Sequence, residues 1–323
     1  MNYKMMGRLI AQILLAEAAF MVPALIISLA GQDSQAILGF ALSILVILAV
    51  AGVLMFFARK AKKGFYAREG MVCVGLAWIV MSLLGCLPFW ISREIPSYLD
   101  GLFEIVSGFT TTGASILSNV EGLSNGMLYW RSFSHWVGGM GVLVFLLAVV
   151  PVSGRNDGFT MHLLRAESPG PNVAKLVPRI RSTAGILYIL YIVLTVVDFL
   201  FLLAGKMPVL EAVCTAFGTA GTGGFGVKND SMASYSPYIQ NVCTVFMLLF
   251  GVNFSCYYLL IMKQVKSVYE DEELRLYVGM VLGSVLLIVI NLRGFYGTLE
   301  ETVRHAFFQV ASIVTTTGFA TTD

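Results

Sequence analysis

Long apolar stretches separated by short polar ones set the rhythm of this chain. A helix that spans a bilayer needs about 20 predominantly apolar residues. Seven stretches meet or approach that length, at 9–30, 39–58, 71–92, 128–150, 182–204, 239–262 and 276–292. Three further apolar stretches are too short to cross; they begin near Leu99, after Pro208 and near Leu299. Each of these runs into a turn of threonine and glycine. The first reads SGFTTTGAS over 107–115, and the last reads FFQVASIVTTTGF over 307–319. Aligned on glycine, Phe103 falls on Phe308 and Ser107 on Ser312, while Thr110, Thr111, Thr112 and Gly113 fall on Thr315, Thr316, Thr317 and Gly318. Between them, EAVCTAFGTAGTGGFG over 211–226 is a looser copy, in which Ala220, Gly221, Thr222 and Gly223 take those places. Three copies of one device, each following a long apolar stretch, predict a repeat architecture.

The predicted fold class is all-α and integral to the membrane. The first two stretches form a hairpin prefix at 1–60 with no threonine–glycine turn after it. A helix–half-helix–helix unit follows at 61–152 and again at 153–265, and a third begins at 266–323.

Composition supports this class. Of 323 residues, 57% are hydrophobic and 12% charged, against roughly 25% charged in soluble domains; mean hydropathy is +0.81. A net charge of +2 calls for no nucleic-acid partner and no peripheral basic patch. Cys73, Cys86, Cys214, Cys243 and Cys256 show no zinc-ligand spacing and read as small buried hydrophobes. Without a nucleophile–base pair or a metal cluster, the sequence predicts neither an enzyme nor a bound cofactor. Lys4 and Arg8 precede the first stretch as in a secretory signal, but its length and the second stretch close behind it read as a retained helix.

Basic residues set the orientation. With the N-terminus in the cytoplasm and each threonine–glycine segment dipping in and returning outward, the cytoplasmic side holds 15 of the 21 basic residues. They are concentrated in 59–68 (Arg59, Lys60, Lys62, Lys63, Arg68), in 153–181 (Arg155, Arg165, Lys175, Arg179, Arg181), and at Lys263, Lys266 and Arg275.

A half-helix that enters from outside points the negative end of its dipole toward mid-membrane, which favours cations there. Irregular backbone at that depth persists only where protein or a water-filled path satisfies its polar groups. A threonine–glycine segment offers carbonyls that replace an ion's water shell, and glycine allows backbone angles that a side chain forbids. No carboxylate lies within TTTG, so a monovalent cation fits better than a divalent one. Packing by small residues explains one such copy; three in register, each after a half-helix, point to an ion path. The spacing of Gly221, Gly223 and Gly226 matches a dinucleotide fingerprint, but no strand precedes it.

TTTGA, GTGGF and TTTGFATTD, together with WRSFSHWVGGMGV over 130–142 and GVNFSCYY over 251–258, resemble the Trk/Ktr/HKT superfamily of potassium transporters. Within it they are most similar to the TrkH-type potassium uptake subunit, which the two-helix prefix also fits. The resemblance implies a pore of four such repeats in one polypeptide. It places the potassium filter at Thr110–Gly113, Ala220–Gly223 and Thr315–Gly318, with filter glycines Gly113, Gly223 and Gly318. Relatives that favour sodium tend to carry serine at the first, so potassium is expected. It further implies a homodimer in the bacterial inner membrane, gated by a nucleotide-binding ring of TrkA or KtrA type, with 59–68 and 153–181 as docking segments. The chain stops five residues after Gly318; the second helix of repeat three and all of repeat four are missing from it. The expectation is that these residues alone do not conduct, and that they are a fragment or a truncated product. An ion-coupled symporter and a truncated, non-conducting subunit are the competing readings.

Single polar residues complete the picture. Asp100 and Glu104, with Glu211, Glu300 and Glu301, stand on the outer side, where they can concentrate cations at the pore mouth. Glu17 lies in the prefix and is expected away from the pore repeats; Asp198 reads as interfacial and His135 as a packing residue. Asn253 faces an unassigned side of its span.

Overall fold

The computed structural model describes residues 2–59, 67–141 and 180–322. Among them there are helices and turns and no strand, in agreement with the expected class. Of the docking segments, 60–66 and 153–179 lie outside the described residues, as does the end of the fourth apolar stretch at 142–150.

Two compact units divide the chain. One comprises Met1–Phe109, Gly122–Arg131 and Met140–Tyr188, and the other Thr110–Glu121, Ser132–Gly139 and Ile189–Asp323. In the first, α1 (Tyr3–Ala30) starts with Asn2, whose side chain accepts from the Met5 amide. It turns at Gly31 and Gln32 into α2 (Ser34–Phe57). α3 (Ala67–Gly85) and α4 (Leu87–Ile91) are separated at Cys86, where Pro88 lacks the amide that would continue the ladder. α5 (Tyr98–Phe109) is the first half-helix, and α6 (Asn125–Met140) follows it. Ser124 opens α6 with its amide and hydroxyl both on the Glu94 carboxylate, each at 2.7 Å. The start of α6 nests on the prefix: a side chain at Gly126 would collide with Ser28 and lie 2.9 Å from the Ala24 carbonyl.

In the second unit α7 (Ile180–Ala204) leads to the half-helix α8 (Val209–Ala220). α9 (Pro237–Gly251) and α10 (Phe254–Ile261) follow, then α11 (Val265–Tyr269), α12 (Glu272–Asn291) and the third half-helix, α13 (Leu299–Val314). At 1.5 Å per residue the half-helices measure about 18, 18 and 24 Å, short of a hydrocarbon core of about 30 Å.

Among the described residues five helices, at Tyr3–Ala30, Ser34–Phe57, Glu69–Ile91, Gly185–Ala204 and Glu272–Asn291, are long and apolar enough to cross a membrane. The sixth apolar stretch differs from a straight span: α9 and α10 meet at 86°. The break falls at Gly251–Asn253, where Val252 is extended and Asn253 caps α10 through the Ser255 amide at 3.0 Å. α6 likewise ends at Met140, before Gly141 with φ +71°.

Candidate functional site

The three threonine–glycine turns share one backbone course. The second residue after each half-helix is a threonine in the left-handed region: Thr111 at φ +55°, Thr222 at +50° and Thr316 at +59°. The fourth is a glycine in the same region: Gly113 at +75°, Gly224 at +73° and Gly318 at +86°. The second and third turns start as helix caps. Thr222 N–H donates to Thr219 O at 3.1 Å and Gly223 N–H to Gly218 O at 3.0 Å; Thr316 and Thr317 repeat this on Ile313 and Ser312 at 3.1 and 2.8 Å. This double bond pattern normally places glycine at the left-handed position. A β-branched threonine there costs about 1–3 kcal/mol, and such strain gathers where function holds it. Three strained threonines at one register therefore mark these turns as the candidate site.

The shared course shifts the second copy by one residue. Alignment on the glycine put Thr222 and Gly223 on Thr112 and Gly113, whereas the backbone puts Thr222 on Thr111 and Gly224 on Gly113. Gly221, Thr222, Gly223 and Gly224 thus stand where Thr110–Gly113 and Thr315–Gly318 stand, and Ala220 is the last residue of α8. The physical reason is that GTGG offers two glycines and only Gly224 takes the left-handed conformation. Phe225 and Phe319, buried at 2% and 1% exposure, follow the equivalent glycines, and that Gly–Phe pair was the legible signal.

The second unit brings the three segments together. A side chain at Gly113 would overlap the Gly223 carbonyl oxygen and stand 3.8 Å from Thr317 O. One at Gly224 would overlap Thr317 O and lie 3.0 Å from the Gly318 carbonyl carbon. Backbone meets backbone here, and no residue but glycine fits. The threonine hydroxyls stiffen the turns: Thr110 and Thr112 share a bond of 2.8 Å, Thr315 and Thr317 one of 2.7 Å, and Ser312 donates to Phe319 O at 2.6 Å.

The frame behind the segments is itself repeated. Gly139 of α6 abuts Gly221, and Gly251 of α9 abuts Thr315, whose methyl lies 2.7 Å from where a Cβ would sit. Tyr191 of α7 donates its hydroxyl to Trp136 O, three residues before Gly139, at 3.0 Å. Tyr277 of α12 donates to Leu248 O, three residues before Gly251, also at 3.0 Å. Each tyrosine satisfies a carbonyl close to where the helix breaks. The loop after the second turn ties the other two. Asn229 accepts from the Val120 amide at 2.8 Å and donates to Asn119 at 3.1 Å, while Met232 N–H donates to Ala320 O at 2.9 Å. Gln240 holds that loop through the carbonyls of Met232 and Tyr235 at 2.9 and 3.3 Å, and it accepts from Arg304. Sequence reading found none of these; apart from the bonds of Gln240 to Met232 and Tyr235, their partners are tens of residues apart.

The single polar residues fall as follows. Asp100 is half-exposed at the start of α5. Glu104 is fully buried and pairs with the buried Arg131 at 2.5 Å, so its charge is neutralised inside the first unit rather than presented at a mouth. Glu211 accepts from the Tyr235 hydroxyl at 2.6 Å; burial, then this bond, raises the Tyr235 phenol above its ordinary value. Glu300 pairs with Arg304 at 3.2 Å. Asp198 is fully buried, and its carboxylate oxygens have no hydrogen-bond partner among the described residues. Glu17 is also fully buried without such a partner. It does not lie away from the first repeat: a Cβ at Gly85 would meet Glu17 Oε1 at 2.8 Å, Phe109 at 3.0 Å and Ile105 at 3.3 Å. Asn253 donates to Glu273 at 3.1 Å beside a cleft of about 210 Å³ that Tyr277 and Met280 also line. Among the described residues no group of three His, Cys, Asp or Glu side chains is arranged to hold a metal ion.

A family model described as TrkH, cation transport protein, matches residues 37–323. The Trk system potassium uptake protein TrkH of Salmonella typhimurium is 33% identical over 328 residues, covering 99% of this chain and 67% of that protein. Its namesake in Halomonas elongata is 33% identical over 333 residues, covering 100% and 67%. The crystal structure of the potassium transporter TrkH from Vibrio parahaemolyticus superposes with a TM-score of 0.85 at 28% identity, covering 100% of this chain and 66% of that one. The chain thus spans about two thirds of the length of these relatives.

Proposed function

This chain belongs to the TrkH family of cation transport proteins, and from that premise we propose that it forms the potassium-translocating, channel-like part of a Trk-type uptake system. It is a multi-pass membrane protein; the ion path is lined by Thr110–Gly113, Gly221–Gly224 and Thr315–Gly318. One observation carries the reading: three turns with left-handed threonine and left-handed glycine at matched positions, two of whose glycines, Gly113 and Gly224, lie so close to the next turn's backbone that only glycine fits, while the space beside Gly318 is open. A ring of such backbone offers carbonyls in place of an ion's water shell. The half-helices α8 and α13 end at this backbone with the negative ends of their dipoles. The turns contain no carboxylate, which suits a monovalent cation.

Potassium is the substrate in this reading, as the names of the relatives state for those proteins. The N-terminus faces the cytoplasm of a bacterial inner membrane. A homodimer carries a cytoplasmic nucleotide-binding ring of TrkA or KtrA type, docked on the basic segments 59–68 and 153–181. The test is cation uptake by a host without other potassium uptake, expressing this gene with its native partners. The reading predicts potassium uptake well above sodium uptake, and loss of that preference in Gly224→Ala, whose new methyl meets Thr317 O. Uptake that ignores cation identity would overturn it. Uptake that follows an imposed proton or sodium gradient would replace a channel-like path with a coupled symporter.

A further inference from the structure

The second turn lacks what stiffens the other two. In the first and third, the first and third positions after the half-helix are threonines whose hydroxyls bond each other, Thr110 to Thr112 and Thr315 to Thr317. In the second these positions are Gly221 and Gly223. A segment with glycine at 221, 223 and 224 is the most mobile of the three by composition, since glycine loses the most freedom on ordering. Something else has to hold it.

His135 of α6 stands in the space the missing side chains would fill. It is fully buried. A Cβ at Gly221 would overlap the His135 carbonyl and lie 3.0 Å from its Cβ, and one at Gly223 would overlap the imidazole ring itself. The ring also stacks on Phe225 with centroids 4.0 Å apart and planes at 24°. Gly139 and Gly251 abut the first position of the second and third turns, so the residue four before each can be matched: His135 matches Met247, also fully buried. Histidine backs glycines; methionine, adaptable in shape, is the counterpart where the turn keeps its threonines.

We propose that His135 is a positioning residue for the second filter segment, and that His135 and Gly223 form a matched pair whose shape complementarity sets cation discrimination there. The proposal rests on the reading of the three turns as a potassium filter. Its mechanism is steric: the ring, clamped by Phe225, replaces the threonine pair as the brace that keeps the Gly223 carbonyl against Gly113. A residue that touches backbone lining an ion path acts on selectivity through sub-ångström placement, as positioning shells do elsewhere.

The test is a double-mutant cycle in the assembled transporter, expressed with its native partners, read as the ratio of potassium to sodium uptake. That ratio is independent of how much protein reaches the membrane. His135→Ala leaves a void and Gly223→Thr collides with the ring, so each lowers the ratio by about tenfold, in the range of couplings between touching residues. The double variant restores at the second turn the residue found at Thr112 and Thr317, and is expected to recover most of the loss. His135→Phe, which keeps the volume and the stack on Phe225, recovers most of what the alanine loses. Losses that simply add in the double variant, or a phenylalanine no better than alanine, would overturn the pairing. A wild-type protein with no preference for potassium would instead defeat the filter reading on which the pairing rests.

Discussion

Removal of the Glu104 carboxylate takes the anionic partner from a buried arginine. Arg131 Nε and Glu104 Oε1 are 2.5 Å apart, with side chains 3% and 0% exposed. At an effective dielectric near 20 their attraction is about 6–7 kcal/mol. Desolvating both groups costs several kcal/mol for each ion, so the intact pair is worth little against a well-packed apolar pair. The single truncation is different, because arginine does not shed its proton in a protein. Glu104→Ala is therefore expected to cost about 3–5 kcal/mol, which raises the unfolded population by roughly two to four powers of ten. Glu104→Leu combined with Arg131→Met removes both charges and should lose much less than Glu104→Ala alone. Denaturant titration in mixed micelles, followed by tryptophan emission, measures all three proteins; Trp130 lies next to the pair in sequence, is fully buried and donates to Gly85 O at 2.9 Å. A cost below about 1 kcal/mol for the alanine variant, or a double variant worse than the single, would refute this reasoning.

Other expectations follow from the same frame. Thr316→Gly relieves a left-handed β-branched residue and should raise stability by about 0.5–1 kcal/mol while lowering potassium preference; a thermal melt beside an uptake assay reads both. Tyr277→Phe and Tyr191→Phe each remove the donor to a carbonyl beside a helix break, so each should cost about 1–2 kcal/mol in the same melt. The more buried Tyr191, 2% exposed, should lose at least as much. Glu94 is held above its ordinary value of 4.5 by burial, which outweighs the opposing hydrogen bonds from Ser124. A carboxyl raised in the folded state contributes stability that is full below about pH 4 and is lost as pH rises through its elevated value. Stability should therefore decline from pH 4 upward, and Glu94→Gln should flatten that slope in melts taken across the range.

The half-helices were legible because three short apolar stretches each ran into the same polar phrase. The first was expected near Leu99 to Phe109 and is Tyr98–Phe109. The register of the second turn was not legible from glycine matching, since two adjacent glycines compete and only their φ separates them. The break in the sixth apolar stretch was hidden because hydropathy does not see backbone direction; Gly251 and the capping Asn253 were its only marks. Charges were legible, but their company was not. Glu104 read as an outer acid because Arg131 is 27 residues away, and the burial of Asp198 was not legible because position along a helix does not give it. The tyrosine clips on Trp136 and Leu248 lie at separations of 55 and 29 residues, where no periodicity reaches.

The most direct test of the potassium path is anomalous scattering from crystals of the assembled transporter grown in rubidium or thallium. The account predicts density within coordination distance of the carbonyls of Thr112, Gly223 and Thr317, with the ion inside the ring formed by Gly113, Gly224 and Gly318. Density only at other positions, with these carbonyls bonded to protein groups, would contradict it.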